Sequence, residues 1–179
     1  MRHLVLAAAL LAPTPKPNLR APVAHATLHA PVAHATLHAP VAHATLHAPV
    51  AHACISSPFG PRRRIGPQAP AAFHRGVDLR APAGGIVSAV GAGTVIGIHR
   101  RGPGGLEVVV RHSGFTALYA HLGSVAPALA EGATRLAAGQ RIGVVGRTGV
   151  TYGTHLYFEM RVNGAPVDPA PLLGLSRCG

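Results

Sequence analysis

Beyond residue 54 the chain is written in short apolar runs separated by glycine and proline, at 86–90, 93–98, 106–112, 115–122, 141–145 and 156–162. Runs of this length, rich in valine and isoleucine and bounded by turn residues, predict β-strands. Many such strands predict an all-β domain, an antiparallel β-sandwich or partly open barrel. Helical character is confined to 125–138, where Gly132 divides it, so any helix there is a short excursion from the sheet.

The polar positions inside these runs carry the chemistry. His155 and Tyr157 stand at i and i+2 in the last run, and alternate residues of a strand point to one face, so both are expected to look into one site. His74 and Asp78 lie four apart in Phe73-His74-Arg75-Gly76-Val77-Asp78, and His121 interrupts Leu118-Tyr119-Ala120-His121-Leu122. Histidine and carboxylate converging from separate strands make an open metal site with room for water, which points to metal-assisted hydrolysis. His99 and His112 read as ordinary strand or turn residues. Arg62-Arg63-Arg64 and Arg100-Arg101 read as solvated loop charges.

The N-terminal third follows another pattern. Met1-Arg2-His3 precedes an apolar run at 4–12, too short to span a bilayer and followed by Pro13, Pro15 and Pro17. It reads as the start of a signal peptide, 1–26, with small-x-small cleavage sites at Ala24-His25-Ala26 and again as far as Ala51-His52-Ala53. The expected location is the periplasm or cell envelope, with no transmembrane span in the mature chain. From Ala21 the unit Ala-Pro-Val-Ala-His-Ala-Thr-Leu-His repeats three times, and a fourth copy stops after Ala53. A proline in every nine residues forbids one continuous helix, so 21–53 reads as an extended, poorly ordered linker whose seven histidines could chelate metal loosely. The folded domain is expected at 54–179.

Charge and composition narrow the class. The net charge is +11, and fifteen of the sixteen basic residues are arginine, which favours polyanionic surroundings. The absence of tryptophan argues against a base-stacking nucleic-acid binder. Only Asp78, Glu107, Glu131, Glu159 and Asp168 are acidic, a poor supply for a paired-carboxylate hydrolase. Serine-hydrolase elbows, phosphate-binding loops and dinucleotide fingerprints do not occur. Cys54 and Cys178 bracket the domain, and in an exported chain they predict a disulfide. Closing that loop would stabilise by about 4 to 5 kcal/mol on the chain-entropy model. A lipid-modified Cys54 is the rival reading.

Seven motifs then occur in one order: Ser57-Pro58-Phe59-Gly60-Pro61-Arg62, His74-x-x-x-Asp78, Tyr119-Ala120-His121-Leu122, Gly139-Gln140-Arg141-Ile142-Gly143, Gly146-Arg147-Thr148-Gly149, Gly153-Thr154-His155-Leu156-Tyr157-Phe158-Glu159 and Asn163-Gly164-x-Pro166-Val167-x-Pro169. Over roughly residues 55 to 171 the chain thereby resembles the lysostaphin-type (LytM-like) zinc endopeptidases. The resemblance implies their mostly β, duplicated-hybrid-motif-like architecture and hydrolysis of peptide bonds in peptidoglycan cross-links or stem peptides. It implies one zinc, with His74, Asp78 and the residue at position 157 as ligands. His121 and His155 would flank the metal-bound water and the scissile carbonyl. The family has histidine where this chain has Tyr157. Three outcomes follow: Tyr157 ligates zinc, His121 or His155 moves in, or the site is empty. In the last case the domain binds cell wall or activates a cell-wall amidase or other hydrolase without cutting.

Overall fold

A computed structural model describes residues 46–62, 72–100 and 102–179. The expected signal segment, the repeat copies up to residue 45, and Arg63, Arg64 and Arg101 lie outside the described residues. Within them the chain runs β1 (Ile55–Ser57), β2 (Gly60–Arg62), β3 (Ala72–His74), β4 (Val77–Arg80), β5 (Ile86–Ser88), β6 (Gly93–Arg100), β7 (Leu106–Arg111), β8 (Thr116–Ala120) and β9 (Leu122–Val125). It continues through α1 (Pro127–Ala130), β10 (Arg135–Leu136), β11 (Arg141–Val145), β12 (His155–Val162), β13 (Ala165–Val167) and α2 (Ala170–Leu173). Both helices are four residues long. Among the described residues, no helix is long and apolar enough to cross a membrane.

The expected mostly β, antiparallel architecture is the one observed, without a closed barrel. The largest sheet has the order β1-β4-β12-β8-β7-β6-β10, and β13 also pairs with β12. A second sheet, β5-β11-β9, and a hairpin, β2-β3, complete it. The alternation seen in the sequence becomes the division between core and site. Leu156, Phe158 and Met160 of β12 and Val108 and Val110 of β7 turn inward, to meet Val87, Leu122, Ile142 and Val145 of the smaller sheet. Tyr119 is wholly buried among them, and its hydroxyl is satisfied by accepting the Val90 N–H at 3.0 Å.

The run 115–122, expected as one strand, is two. His121 has a left-handed backbone, φ 62°, and its N–H donates to the Gly104 carbonyl at 2.9 Å instead of a ladder partner. The bend at this residue separates the two strands: β8 stays in the large sheet while β9 pairs in the small one.

Residues 46–53 also make domain contacts. His47 N–H donates to the Val90 carbonyl at 2.8 Å and Ser88 N–H to the Pro49 carbonyl at 2.9 Å, in the opposed order of an antiparallel strand added to the edge of β5. Val50 is buried in the core, and Leu46 and Ala53 pack against it. These contacts begin ahead of Cys54. Cys54 and Cys178 form the expected disulfide, and Ile55 and Arg177 bridge in parallel beside it.

Gly76 lets the turn before β4 lie directly on β12, because a Cβ there would collide with the backbone carbonyl of Phe158. Gly76→Ala is expected to lower unfolding free energy by about 1 to 3 kcal/mol through overpacking, measured by denaturant titration. Val50→Ser should cost about 2 kcal/mol by the same measurement if 46–53 belongs to the folded unit. A loss near zero would return that segment to the linker.

Candidate metal centre

Strand β12 is paired on both sides, and its site face is set by register. Tyr157 lies opposite Asp78 of β4 on one side and Ala120 of β8 on the other, while His155 lies opposite Arg80. His74 ends β3, four residues before Asp78, and pairs with Gly60 across the β2-β3 hairpin. The hairpin brings Arg62 onto the same face, since Arg62 and His74 are diagonal neighbours in that ladder. His121 enters from the turn after β8.

The expected residues converge. Asp78 Oδ1 is 3.2 Å from His74 Nε2 and 3.4 Å from His155 Nε2. The His121 and His155 rings meet edge to face at 4.9 Å. Each histidine is oriented through its other nitrogen: His74 Nδ1 to the Pro58 carbonyl at 2.7 Å, His121 Nδ1 to the Thr148 carbonyl at 2.8 Å, and His155 Nδ1 to the Gly153 carbonyl at 3.0 Å. A carbonyl acceptor at Nδ1 fixes the N–H of His121 there and leaves its Nε2 as the inward lone pair. Thr148 is itself anchored, donating to the Leu122 carbonyl and accepting the Leu106 N–H.

Arg62 is a residue the sequence reading misplaced. It is not a solvated loop charge: its Nη2 donates to Asp78 Oδ2 at 2.5 Å and lies 2.8 Å from His74 Nε2. Its place at the end of Ser57-Pro58-Phe59-Gly60-Pro61-Arg62 was the available signal, but the hairpin that folds it back is not local in sequence. Glu159 and Arg161 were also passed over, although they continue the same alternation as His155 and Tyr157. Tyr157 OH donates to Glu159 Oε2 at 2.5 Å, and Arg161 Nε donates to Glu159 Oε1 at 2.5 Å.

Electrostatics follow from these contacts. Burial works to raise the Asp78 pKa, but the His74 hydrogen bond and the charges of His155, His74 and Arg62 outweigh it and hold Asp78 below its ordinary value. Burial pushes the His121 imidazole down, against the Thr148 hydrogen bond, so it is neutral near pH ~7. Burial first, then the hydrogen bond and charge of Glu159 and the charge of Asp78, push the Tyr157 phenol far above its ordinary value.

These observations test the donor set against a zinc ion. Zinc takes deprotonated donors in a tetrahedral arrangement. His74 and Asp78 are suitable, but the Arg62 guanidinium already lies against both. Tyr157 is not suitable as it stands, because its hydroxyl hydrogen is directed at an anion that opposes its loss. Among the described residues, no three His, Cys, Asp or Glu side chains are grouped as a metal site. With Tyr157 as the third donor, the set as arranged does not fit the ion.

The model of peptidase family M23 matches residues 72–169. The DD-carboxypeptidase/endopeptidase Mpg of Neisseria meningitidis serogroup B is 43% identical over 98 residues, 54% of this chain and 22% of that protein. The peptidoglycan DD-endopeptidase ShyA of Vibrio cholerae is 36% identical over 111 residues, 62% of this chain and 25% of that protein. The chain thus spans about a quarter of the length of these relatives. A crystal structure of a zinc-containing peptidase from Vibrio cholerae superposes with a TM-score of 0.62 at 29% identity, covering 75% of this chain and 41% of that one.

The lowered Asp78 pKa has a defined sign. Ionised Asp78 contributes stability above its unfolded value of ~3.9, and the contribution is lost as pH falls through the lower folded value. Unfolding free energy measured from about pH 5 down to about pH 2 should therefore decline more steeply in the wild type than in Asp78→Asn.

Proposed function

The chain belongs to peptidase family M23, and from that premise we propose that its site engages the peptide part of peptidoglycan, cross-links or stems, without holding the family's zinc, so that the domain binds cell wall instead of cutting it. The observation that carries this reading is the Tyr157 hydroxyl bonded to Glu159. The position where the family supplies an imidazole lone pair presents a protonated phenol instead. Exporting such a domain to the periplasm or cell envelope, beside a partner such as a cell-wall amidase or another hydrolase, is consistent with its basic charge and with relatives named as peptidoglycan endopeptidases.

The retained groups suit recognition of a peptide. The Nε2 lone pair of neutral His121 can accept an amide N–H, and Arg62 and His155 border the same space as potential partners for a carbonyl or carboxylate. His155 and Tyr157 stand on a strand paired on both sides, so binding needs little rearrangement there.

A second reading, a zinc-dependent endopeptidase acting on the same peptides, is favoured by one specific observation: the His121 and His155 rings face each other at 4.9 Å beside Asp78. The two readings separate cleanly. Zinc per chain would be measured by elemental mass spectrometry on the full chain, with the seven repeat histidines replaced by alanine so that they contribute none. The binding reading expects near zero in that background, near one after Tyr157→His is added, and retention on purified sacculi in both. Near one zinc with Tyr157 in place, together with release of peptide fragments, would establish the endopeptidase. Failure of either protein to sediment with sacculi would remove the peptidoglycan reading altogether.

A further inference from the structure

The site face of the sheet continues past Tyr157. Glu159 lies opposite Leu118 of β8, which lies opposite Val109 of β7, and in the row beyond Arg161 lies opposite Thr116. A cavity of about 200 Å³ opens on this face, lined by Glu107, Val109, Thr116, Leu118 and Arg161. It is smaller than the ~300–1,000 Å³ of sites for drug-sized ligands, and so suits a single side chain. Its place on the face that carries Tyr157 makes it reachable by a peptide lying in the site.

Its walls are chemically unequal. Val109 and Leu118 supply an apolar floor. Arg161 is committed to Glu159, whose two oxygens are answered by Arg161 and Tyr157. Glu107 differs: among the described residues, it enters no ion pair or side-chain hydrogen bond. Its carboxylate lies against Gly104, where a Cβ would collide with it, so it is held at the pocket edge by the turn that also accepts the His121 N–H. Burial raises the Glu107 pKa, and the charge of Glu159 adds to that rise while the charges of His99 and Arg161 oppose it without cancelling it.

We propose that this cavity is a specificity pocket for an aliphatic side chain ending in a primary ammonium, with Glu107 as its counter-ion and Val109 and Leu118 against its methylenes. The inference rests on the peptidoglycan reading above and deepens it. A stem peptide whose side-chain amine is free presents that ammonium, whereas acylation of the amine in a cross-link abolishes its charge. The pocket therefore selects stems that are not yet cross-linked through that amine.

The test uses the full chain and soluble stem-type peptides, carrying either lysine or a diamino-diacid, each with its side-chain amine free or acetylated. Titration calorimetry should show each free-amine peptide binding about tenfold more tightly than its acetylated form, the expected scale for a charge-assisted hydrogen bond. Glu107→Gln should bring the free-amine peptides down to the affinity of the acetylated ones and leave the latter unchanged. Whichever free-amine peptide binds more tightly identifies the source of the ammonium. Equal binding of free and acetylated peptides, or an equal loss of both in Glu107→Gln, overturns the pocket while leaving the peptidoglycan reading intact. Absence of binding by every peptide overturns both.

Discussion

Glu159 is a carboxylate with 2% exposure on a strand hydrogen-bonded on both sides, and the site is arranged around the need to satisfy it. A buried charge without partners is costly, so each Glu159 oxygen has a donor: Tyr157 on one and Arg161 on the other. That requirement orients the Tyr157 hydroxyl along the strand toward Glu159. It also draws Arg161 over the sheet and makes it a wall of the neighbouring cavity. One buried charge thus sets the character of the candidate metal position and of the pocket beyond it.

A second constraint is backbone geometry. His121 occupies a left-handed conformation that non-glycine residues adopt uncommonly and that costs on the order of 1 to 3 kcal/mol. The surroundings hold it there: its N–H meets Gly104, its carbonyl accepts the Gly146 N–H, and its ring is bonded to Thr148. Three loops thereby converge on one histidine at the junction of two sheets. Gly76 has a comparable role for the opposite wall, letting the segment that carries His74 and Asp78 lie directly on β12. These two features explain why residues from well-separated parts of the chain reach one small site.

The resemblance implies a histidine where this chain has Tyr157, and one ring for another looks like a conservative exchange. In this setting it is not, because the two rings offer opposite chemistry to the same neighbour. An imidazole can donate from one nitrogen to a carboxylate and still present a lone pair from the other. A phenol has one oxygen, and donating its proton to Glu159 uses the only hydrogen it has.

Local pattern was enough for the main strands, since valine-rich runs bounded by glycine and proline have few alternatives, and 141–145 coincides with β11. The alternation of His155 and Tyr157 likewise placed two side chains on one face from the sequence alone, and Glu159 and Arg161 continue it. Short strands such as β2 and β3 escaped notice because three residues carry too little periodicity, and they form only as a hairpin. The split at His121 escaped too, because the Gly104 partner that stabilises it is distant in sequence. Arg62 entering the site, Glu159 capturing the Tyr157 hydroxyl, and the packing of Val50 in the core were decided only by the tertiary structure. The physical reason is common to all three. Hydrophobic periodicity acts along the chain and can be read there, whereas the satisfaction of buried charges and the seating of an edge strand depend on which segments fold against one another.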